Sequence, residues 1–379
     1  MNAQTPFRRV SQALSPGDPF PHMAPRIQGR PKFAIDTLAG RYIVLCFHGS
    51  AADPAGRRAL EALMRRRAFF DDVRASAFGV SVDPSDESAG RVRDAVPGLR
   101  FAFDFDEDLS RRCGALPAAG TAEGPTPYRQ FWMVVDPTLR VLATFPFAGP
   151  DGAEMHDRVL DFVERLPPPG EFAGFEIPAP VLILPNVFEP DLCRHLVGLY
   201  DAGDRAQSGV MRGGVGVVDG NMKRRRDYEL EDQGLIQEIQ IRIMRRVVPE
   251  IDRLFFMRIT RMERYLVGCY AAEDGGHFAA HRDNSQEITA HRRFAVSINL
   301  TDAFEGGAVS FPEYNLRGYK APPGWAVVFP ANILHAVGRV TGGRRYAFLP
   351  FVYDDAGAQI RQRNLAAMAS QAAPQAATA

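Results

Sequence analysis

The chain has 379 residues, 46% of them apolar, and its formal net charge is zero. This length predicts two ordinary domains, and the balanced charge excludes a general electrostatic attraction to nucleic acid or to an anionic membrane. No apolar stretch is long enough to cross a bilayer, and the first residues lack the apolar core of a signal peptide, so we expect a cytoplasmic protein.

The first half of the chain alternates short apolar runs with amphipathic segments. The apolar runs predict strands at residues 42–47, 77–83, 131–136 and 141–146. Apolar residues at helical spacing predict helices at residues 57–70 and 154–166. This order of elements indicates an α/β sandwich.

A proline-rich run, Leu166-Pro-Pro-Pro-Gly-Glu, separates the two halves and predicts a stiff linker. We therefore place the first domain at residues 1–168 and the second at residues 175–360. Residues 361–379 are rich in Ala, Gln and Ser and show no apolar periodicity, so we expect a disordered tail there.

The four cysteines are scattered and form no CxxC pair, so the sequence does not predict a disulfide framework. Cys46 lies within the first apolar strand. Cys113 follows Arg111 and Arg112, whose positive charges could lower the pKa of its thiol. We favour a structural role for Cys113, and a reactive thiol is the alternative.

The second half carries a spacing that is typical of a metal site. His281 and Asp283 are separated by one residue, so in an extended segment both side chains leave the same face and can bind one ion. His335 follows a later apolar run that predicts another strand. Two imidazoles and one carboxylate on one side of an ion leave the other positions open, which is the arrangement of non-haem Fe(II) oxygenases.

An oxo-acid cosubstrate of such an iron needs an anchor for its distal carboxylate. Arg344 and Arg345 begin an apolar strand after His335, and a guanidinium can bind a carboxylate through two parallel hydrogen bonds. Because side chains alternate along a strand, only one of these two arginines can point inward.

Neighbouring patterns permit other interpretations. His277 and His281 are four residues apart, as in zinc proteases, but the HExxH signature is absent, so we interpret His277 as a pocket or turn residue. His291 lies in a polar loop, where we expect it to be solvated. The run Arg224-Arg-Arg-Asp227 is either a substrate-contacting loop or a solvated charge run, and we favour the solvated run.

Several landmarks follow one another in the second half. They occupy residues 184–193, 269–283, 293–300, 305–311 and 323–329, and His335 and Arg345 come after them. In this order they resemble the 2-oxoglutarate- and Fe(II)-dependent oxygenases of the prolyl 4-hydroxylase type, from about residue 177 to residue 353. The resemblance implies a double-stranded β-helix, a jelly roll with helices packed on one sheet.

The same resemblance implies roles for particular residues. His281, Asp283 and His335 would be the catalytic iron ligands, Arg345 would bind the C5 carboxylate of 2-oxoglutarate, and Tyr270 would line the cosubstrate pocket. The implied reaction is hydroxylation of a C–H bond in an amino acid, a peptide or a small metabolite, with release of succinate and carbon dioxide. Ascorbate is implied as a reductant that supports turnover.

Two positions bear on how closely the family pattern is followed. Family members often have a Tyr that also reaches the C5 carboxylate, whereas this chain has Ser297 and Asn299 near that place. Related halogenases have a small residue at the carboxylate ligand position, so Asp283 favours hydroxylation or another oxidation. We expect the substrate mouth to lie between residues 213–216 and 287–289.

The first half resembles the peroxiredoxin branch of thioredoxin-like proteins. The motifs behind this resemblance are Pro16-Gly-Asp-Pro-Phe-Pro, the loop that follows Leu45-Cys-Phe-His, and the Val135-Asp-Pro-Thr hairpin. The family's reactive cysteine would fall at Gly56, and no cysteine lies between His48 and Arg112. The resemblance therefore implies the fold, without thiol peroxidase activity by the usual route.

Two alternatives to an oxygenase centred on the second half follow from the first half. One is a thiol-based redox protein that acts through Cys46 or Cys113. The other makes the first half a docking module that brings a protein or carrier-bound substrate to the second domain.

Overall fold

A computed structural model of the chain describes residues 13–117, 127–147, 153–212 and 215–372. The chain divides into two compact units. The first comprises residues up to Ile177 together with Pro312–Tyr314, and the second comprises Pro178–Phe311 and the residues from Asn315 onward.

The first unit alternates strands and helices. Its elements are β1 Tyr42–Gly49, α1 Pro54–Arg65, β2 Ala75–Ser81, α2 Pro84–Ser88, β3 Leu99–Phe103, α3 Asp108–Cys113, β4 Phe131–Val135, β5 Val141–Pro146 and α4 Ala153–Glu164. The sheet order is β3-β2-β1-β4-β5. Strand β1 is parallel to β2 and antiparallel to β4, which is the arrangement of a thioredoxin-like sheet. The predicted fold of this half is confirmed.

The four predicted strands and two predicted helices are present, with ends shifted by a few residues. Helix α1 begins earlier than predicted because Pro54 fits its first turn and the Asp53 carboxylate accepts a hydrogen bond from the Gly56 amide. The apolar pattern does not predict strand β3. Arg100 interrupts its short apolar run, and this side chain instead pairs with Asp72 at the end of the sheet.

The second unit is rich in short strands. Its first elements are β6 Leu182–Leu184, α5 Pro190–Ala202, β7 Ala206–Gln207, β8 Val210–Arg212, β9 Val215–Val217, β10 Lys223–Arg224, β11 Arg226–Glu229, α6 Gln233–Arg246 and α7 Val248–Phe255. They are followed by β12 Arg261–Glu263, β13 Leu266–Ala271, β14 His277–His281, β15 Phe294–Asn299, β16 Phe304–Gly306 and β17 Val309–Ser310. The last are β18 Gly318–Tyr319, β19 Ala326–Pro330, β20 His335–Val337, β21 Val340–Phe348, β22 Phe351–Tyr353 and α8 Asp355–Ala372.

These strands form two main sheets. The smaller has the order β10-β14-β20-β17-β18, and the larger contains ten strands around the path β12-β22-β15-β21-β13-β11-β7. Residues of α5, α6 and α7 share one hydrophobic core with the larger sheet, as Leu196, Ile239 and Ile251 show. The predicted jelly roll with helices packed on one sheet is confirmed.

Alternation along the larger sheet separates this core from a pocket. Val267 and Cys269 of β13 and Phe348 of β21 belong to the core shared with the helices. Tyr270 and Arg345 alternate with them and line a pocket. Because successive side chains of a strand point to opposite faces, the apolar residues on one face fix which residues reach the pocket.

The predicted disordered tail is wrong for residues 361–372. Helix α8 continues through them to Ala372, while residues 373–379 lie outside the described part of the chain. Ala, Gln, Arg and Leu all have high intrinsic helix propensity, so this composition favours a helix even without an apolar stripe. The helix is also held to the second unit, because Asn364 donates a hydrogen bond to the carbonyl oxygen of Glu287.

No helix among the described residues combines the length and the apolar character that a membrane span needs.

Candidate active site

Three side chains of the smaller sheet converge on one point. Strand β14 ends at His281, strand β20 begins at His335, and the two residues are direct partners in the antiparallel ladder. Asp283 follows β14 by two residues. Its Oδ1 lies 3.4 Å from Nε2 of His281, and its Oδ2 lies 3.2 Å from Nε2 of His335. We call His281, Asp283 and His335 the triad.

Backbone carbonyl groups fix the orientation of both imidazoles. Nδ1 of His281 donates to the carbonyl oxygen of Ala279 at 2.8 Å, and Nδ1 of His335 donates to that of Ile333 at 3.1 Å. Each Nε2 is thereby left as the acceptor that faces Asp283. Hydrogen bonds of this kind select the tautomer and hold the ring of a metal-binding histidine.

Burial governs the charges of the triad. Burial and the adjacent His335 together lower the pKa of His281 to about 4. Burial alone would raise the pKa of Asp283, but contacts with His335 and His281 hold this pKa well below its usual range. A neutral imidazole beside an ionised carboxylate is the ligand form that binds a divalent metal.

The spacing of the triad fits a single ion. Imidazole and carboxylate ligands bind at about 2.0–2.2 Å, so two ligands of one ion are at most about 4.4 Å apart. Both contacts of Asp283 with the imidazoles are shorter than this limit, and the three side chains form one cluster of possible metal ligands. The donor set, with two nitrogens and one oxygen, is one that suits Fe(II).

Arg345 lies in the same pocket as the triad and is 2% exposed. Its Nε donates to Oδ1 of Asn299 at 3.0 Å, and its Nη2 donates to Oγ of Ser297 at 2.9 Å. Its Nη1 has no hydrogen-bond partner among the described residues. Burial lowers the pKa of Arg345. Because buried donors normally have hydrogen-bond partners, the free Nη1 indicates that a ligand group binds there.

The neighbours of Arg345 agree with strand alternation. Arg344 points away from the pocket, with half of its side chain exposed, and pairs with Glu273. Tyr270 is the ladder partner of Arg345 and lines the pocket, with the guanidinium carbon of Arg345 5.4 Å from its ring centroid. Ser297 and Asn299, which stand where a Tyr is common in the family, hold the arginine itself.

The interpretation of Arg224-Arg-Arg-Asp227 as a solvated charge run is wrong for its second arginine. Arg225 is 7% exposed and lines the pocket, while Arg224 and Arg226 are exposed. Asp227, two residues further on, lies on the same face and pairs with Arg225. The missed signal is this i, i+2 spacing of opposite charges, which marks a buried pair once the segment is a strand.

The structure also locates His277, His291 and part of the expected substrate mouth. His277 is held at a turn, with contacts from its ring nitrogens to the carbonyl oxygens of Gly275 and Asn221. His291, expected to be solvated, is 2% exposed and lies 3.0 Å from Glu263. Of the expected substrate mouth, residues 213 and 214 lie outside the described residues, and Glu287–Thr289 forms a short 3-10 helix.

The described structure disfavours thiol chemistry in the first unit. Cys46 and Cys113 are both buried and free. Burial raises the pKa of each thiol, and it outweighs the effect of Arg112 on Cys113. A reactive cysteine needs an accessible thiolate.

The start of helix α1, where peroxiredoxins have their reactive cysteine, has no space for a side chain in this chain. Gly56 lies in the first turn of α1. A Cβ atom at this position would lie 2.2 Å from the carbonyl oxygen of Ser50 and 3.1 Å from that of His48. Glycine is required here because the backbone approaches so closely.

Comparison with known proteins gives matches for both units. Residues 265–353 match the model of the 2OG-Fe(II) oxygenase superfamily. Two PKHD-type hydroxylases from strains of Synechococcus are each 28% identical over 129 residues, which is 32% of this chain and 57% of theirs. The chain thus spans little more than half the length of the curated relatives it matches.

Three solved structures are similar to parts of the chain at low identity. A prolyl hydroxylase of Trichoplax adhaerens, solved with a hypoxia-inducible-factor peptide, is 16% identical, with a TM-score of 0.40 over 48% of this chain and 86% of that one. A prolyl-4-hydroxylase of Pseudomonas putida is 12% identical, with a TM-score of 0.35 over 46% and 91%. Peroxiredoxin Q of Xanthomonas campestris is 17% identical, with a TM-score of 0.30 over 38% and 89%.

The family match spans the strands that carry Tyr270, the triad and Arg345, and the sheet orders described above carry the assignment of the two folds. Residues 265–353 of this chain therefore match a 2OG-Fe(II) oxygenase domain, and the unit that precedes them has a thioredoxin-like fold.

Proposed function

We propose that the protein is an Fe(II)- and 2-oxoglutarate-dependent dioxygenase that hydroxylates a C–H bond of an amino acid, a peptide or a small metabolite. The observation that carries this proposal is one pocket that contains both the triad and the buried guanidinium of Arg345 with its unpaired Nη1. A metal site alone would fit many chemistries. A carboxylate anchor inside the same pocket fits an oxo-acid cosubstrate.

In this proposal His281, Asp283 and His335 are the iron ligands. Bound Fe(II) supplies the activation of dioxygen at the coordination positions that the three ligands leave open. The hydrogen bonds from the two Nδ1 atoms to backbone carbonyls hold both rings in place before the metal binds. Asp283 contributes the one negative charge that offsets part of the charge of the ion.

Arg345 binds the C5 carboxylate of 2-oxoglutarate in this proposal. Asn299 and Ser297 occupy its Nε and Nη2, so Nη1 is left to face the cosubstrate. A charge-assisted hydrogen bond in a buried site is stronger than a neutral one, and it also compensates the cost of burying the guanidinium. Tyr270, on the adjacent strand, limits the space around the cosubstrate.

The products follow from the balance of atoms and electrons. One atom of dioxygen enters the C–H bond of the substrate, and the other enters the new carboxylate of succinate as the C1–C2 bond of 2-oxoglutarate breaks and carbon dioxide leaves. 2-Oxoglutarate supplies two of the four electrons that reduce dioxygen, and the substrate supplies the other two. Val309, Phe329 and Val337 line the pocket with apolar surface that limits the entry of water.

Three further points belong to the proposal. Ascorbate acts as a reductant that keeps the iron in its ferrous form between turnovers. The substrate is a small molecule or part of a peptide or protein, and nucleic acid is not the substrate. The cytoplasmic location stays a prediction from the sequence.

The test is a succinate-release screen with the full-length protein, Fe(II) and 2-oxoglutarate over free amino acids, peptides and cell extract. We expect succinate release that requires 2-oxoglutarate and dioxygen and that rises with the correct substrate. The variant His335→Ala should abolish it, while Arg258→Gln, which changes an exposed arginine, should match the wild type. Succinate release that survives His335→Ala would contradict the assignment.

A further inference from the structure

The pocket that holds the triad contains more positive charge than the cosubstrate anchor requires. Besides Arg345, both Arg225 and Arg264 line it. Lys223 lies close by and is 3% exposed, with its ammonium 4.8 Å from the centroid of the Phe278 ring, and that ring lines the same pocket. Two guanidinium groups and one lysine amine therefore lie at this part of the pocket in addition to Arg345.

Arg225 is committed to partners within the protein. Its Nε and Nη2 donate to the two carboxylate oxygens of Asp227 at 2.5 and 2.7 Å. Nη2 also donates to Oγ of Ser208 at 3.1 Å, and Nη1 donates to the hydroxyl oxygen of Tyr270 at 3.3 Å. With these donors occupied, Arg225 positions Asp227 and Tyr270 rather than binding a ligand.

Arg264 is paired far more weakly. Its Nη2 lies 3.4 Å from Oδ2 of Asp227, an oxygen that already accepts hydrogen bonds from Arg225 and from Ser208. Its side chain is 30% exposed, and it lines both the triad pocket and a neighbouring cavity that also includes Tyr228. Arg264 therefore stands at the boundary of the two spaces, where a substrate that enters the pocket can contact it.

The backbone of Arg264 supports a role beyond packing. Its φ is +66°, in the left-handed region that non-glycine residues rarely adopt. This conformation is unfavourable for a residue with a side chain. Strained positions of this kind cluster at ligand-binding sites, where the surrounding structure holds them.

The charges around Arg264 leave room for an anion. Arg225 and Arg264 both contact the carboxylate of Asp227, which Arg225 already neutralises. The carboxylate of Asp283 also acts on Arg264 and Lys223, but in the proposed function it is a metal ligand. Burial and the positive charge of Arg225 together lower the pKa of Arg264 to about 10 and that of Lys223 to about 6. Cations that disfavour one another in a partly buried site are stabilised by an anionic ligand.

2-Oxoglutarate does not supply this anion. In the proposed function its C5 carboxylate binds Arg345, and its oxo-acid end would bind the metal, so neither carboxylate is left for Arg264. We infer that Arg264 binds a carboxylate of the substrate, and hence that the substrate is a small compound or peptide end with a free carboxylate near the hydroxylated carbon. The inference rests on the proposed function. The planar guanidinium fork matches a carboxylate, which can accept two parallel hydrogen bonds.

The test uses the full-length protein loaded with Fe(II) and 2-oxoglutarate. Free amino acids and dipeptides are each paired with the corresponding C-terminal carboxamide, and succinate release above the substrate-free rate is measured. We expect stimulation by carboxylates, with kcat/KM roughly 10- to 150-fold lower for the matching carboxamide, because a charge-assisted hydrogen bond is lost.

Variants assign this effect to Arg264. Arg264→Gln should raise the KM for the active carboxylate by roughly the same 10- to 150-fold, while the KM for the cosubstrate changes less than about twofold. Arg264→Lys keeps the positive charge but not the planar guanidinium, so its KM for the carboxylate should lie between those of the wild type and Arg264→Gln. Arg264→Asn tests whether the backbone matters, because Asn tolerates the left-handed region. Arg258→Gln is the matched control and should not differ from the wild type.

Three results would overturn the inference. Carboxamides could stimulate as well as carboxylates, or Arg264→Gln could raise the KM for the cosubstrate in parallel, which would assign Arg264 to cosubstrate binding. The protein could also release succinate slowly from 2-oxoglutarate without acceleration by any carboxylate tested. Failure of the proposed function itself looks different, because then neither 2-oxoglutarate binding nor slow succinate release occurs in any variant.

Discussion

Replacing Arg345 with glutamine removes a buried guanidinium from the triad pocket. The Nη1 of Arg345 lacks a partner among the described residues and is the group that would meet the C5 carboxylate of 2-oxoglutarate. A hydrogen bond to a charged group contributes about 1.5–3 kcal/mol, so Arg345→Gln should raise the Kd for this cosubstrate roughly 10- to 150-fold. The glutamine amide still offers a donor to Asn299 or Ser297, which limits the effect on folding.

The assay is isothermal titration calorimetry with 2-oxoglutarate, in the presence of Mn(II) so that no turnover occurs. Arg344→Gln is the matched control, since it makes the same change of charge one residue away on the exposed face of the strand. We expect its Kd to equal that of the wild type. The reasoning is refuted if Arg345→Gln leaves the Kd within about twofold of the wild type, or if both variants weaken binding equally.

Two further predictions concern the first unit. Gly56→Cys should not create a peroxidase and should lower the free energy of unfolding by about 1–3 kcal/mol, because a Cβ would lie 2.2 Å from the Ser50 carbonyl oxygen. Peroxide consumption and denaturant unfolding measure the two effects. A variant that consumes peroxide and is as stable as the wild type would contradict the prediction. Asp72 has its pKa lowered to about 2, since the hydrogen bonds from Arg100 and Ser76 outweigh the opposing effect of burial. Its ionised form therefore contributes up to about 2 kcal/mol to the free energy of unfolding above pH 4, and this contribution is lost as the pH falls toward 2. Asp72→Asn should therefore lose less stability than the wild type between pH 4 and pH 2 in denaturant unfolding. An unchanged loss of stability in this range would refute the prediction.

Strand alternation explains why the residues of the site could be predicted from the sequence. The spacing of His281 and Asp283 needs only an extended segment, and β14 supplies it. The choice between Arg344 and Arg345 follows from the apolar residues of β21 that face the core. The sequence predicted His335 as the third ligand, but it did not predict that His335 pairs directly with His281, because that pairing depends on a long-range register between β14 and β20.

The sequence did not predict that Arg225 and Arg264 line the pocket, and the reason is different. Arg225 and Asp227 lie in a segment whose strands are too short and too polar to show apolar alternation, so it has the pattern of a solvated charge run. Arg264 belongs to no strand, and its place at the pocket depends on a left-handed backbone. Neither feature follows from local composition.

Burial also determines the thiol pKa of Cys113 and the exposure of His291, which the neighbouring residues in the sequence do not indicate correctly. Arg111 and Arg112 left a lowered thiol pKa open as the alternative to the structural role that we favoured for Cys113, and burial instead raises this pKa. His291 lies among polar residues in the sequence but packs against Glu263 and the Tyr353 ring. Solvent exposure is a property of the tertiary structure, and a polar sequence neighbourhood alone does not establish it.

The central claim is that His281, Asp283 and His335 bind one ferrous ion beside a site for 2-oxoglutarate. The most direct measurement is an anaerobic titration of the protein with Fe(II) and 2-oxoglutarate, followed by visible absorption. The account predicts a charge-transfer band that saturates at one Fe(II) per chain and is absent from Asp283→Ala. Tight binding of zinc without any Fe(II)- and 2-oxoglutarate-dependent band would contradict it.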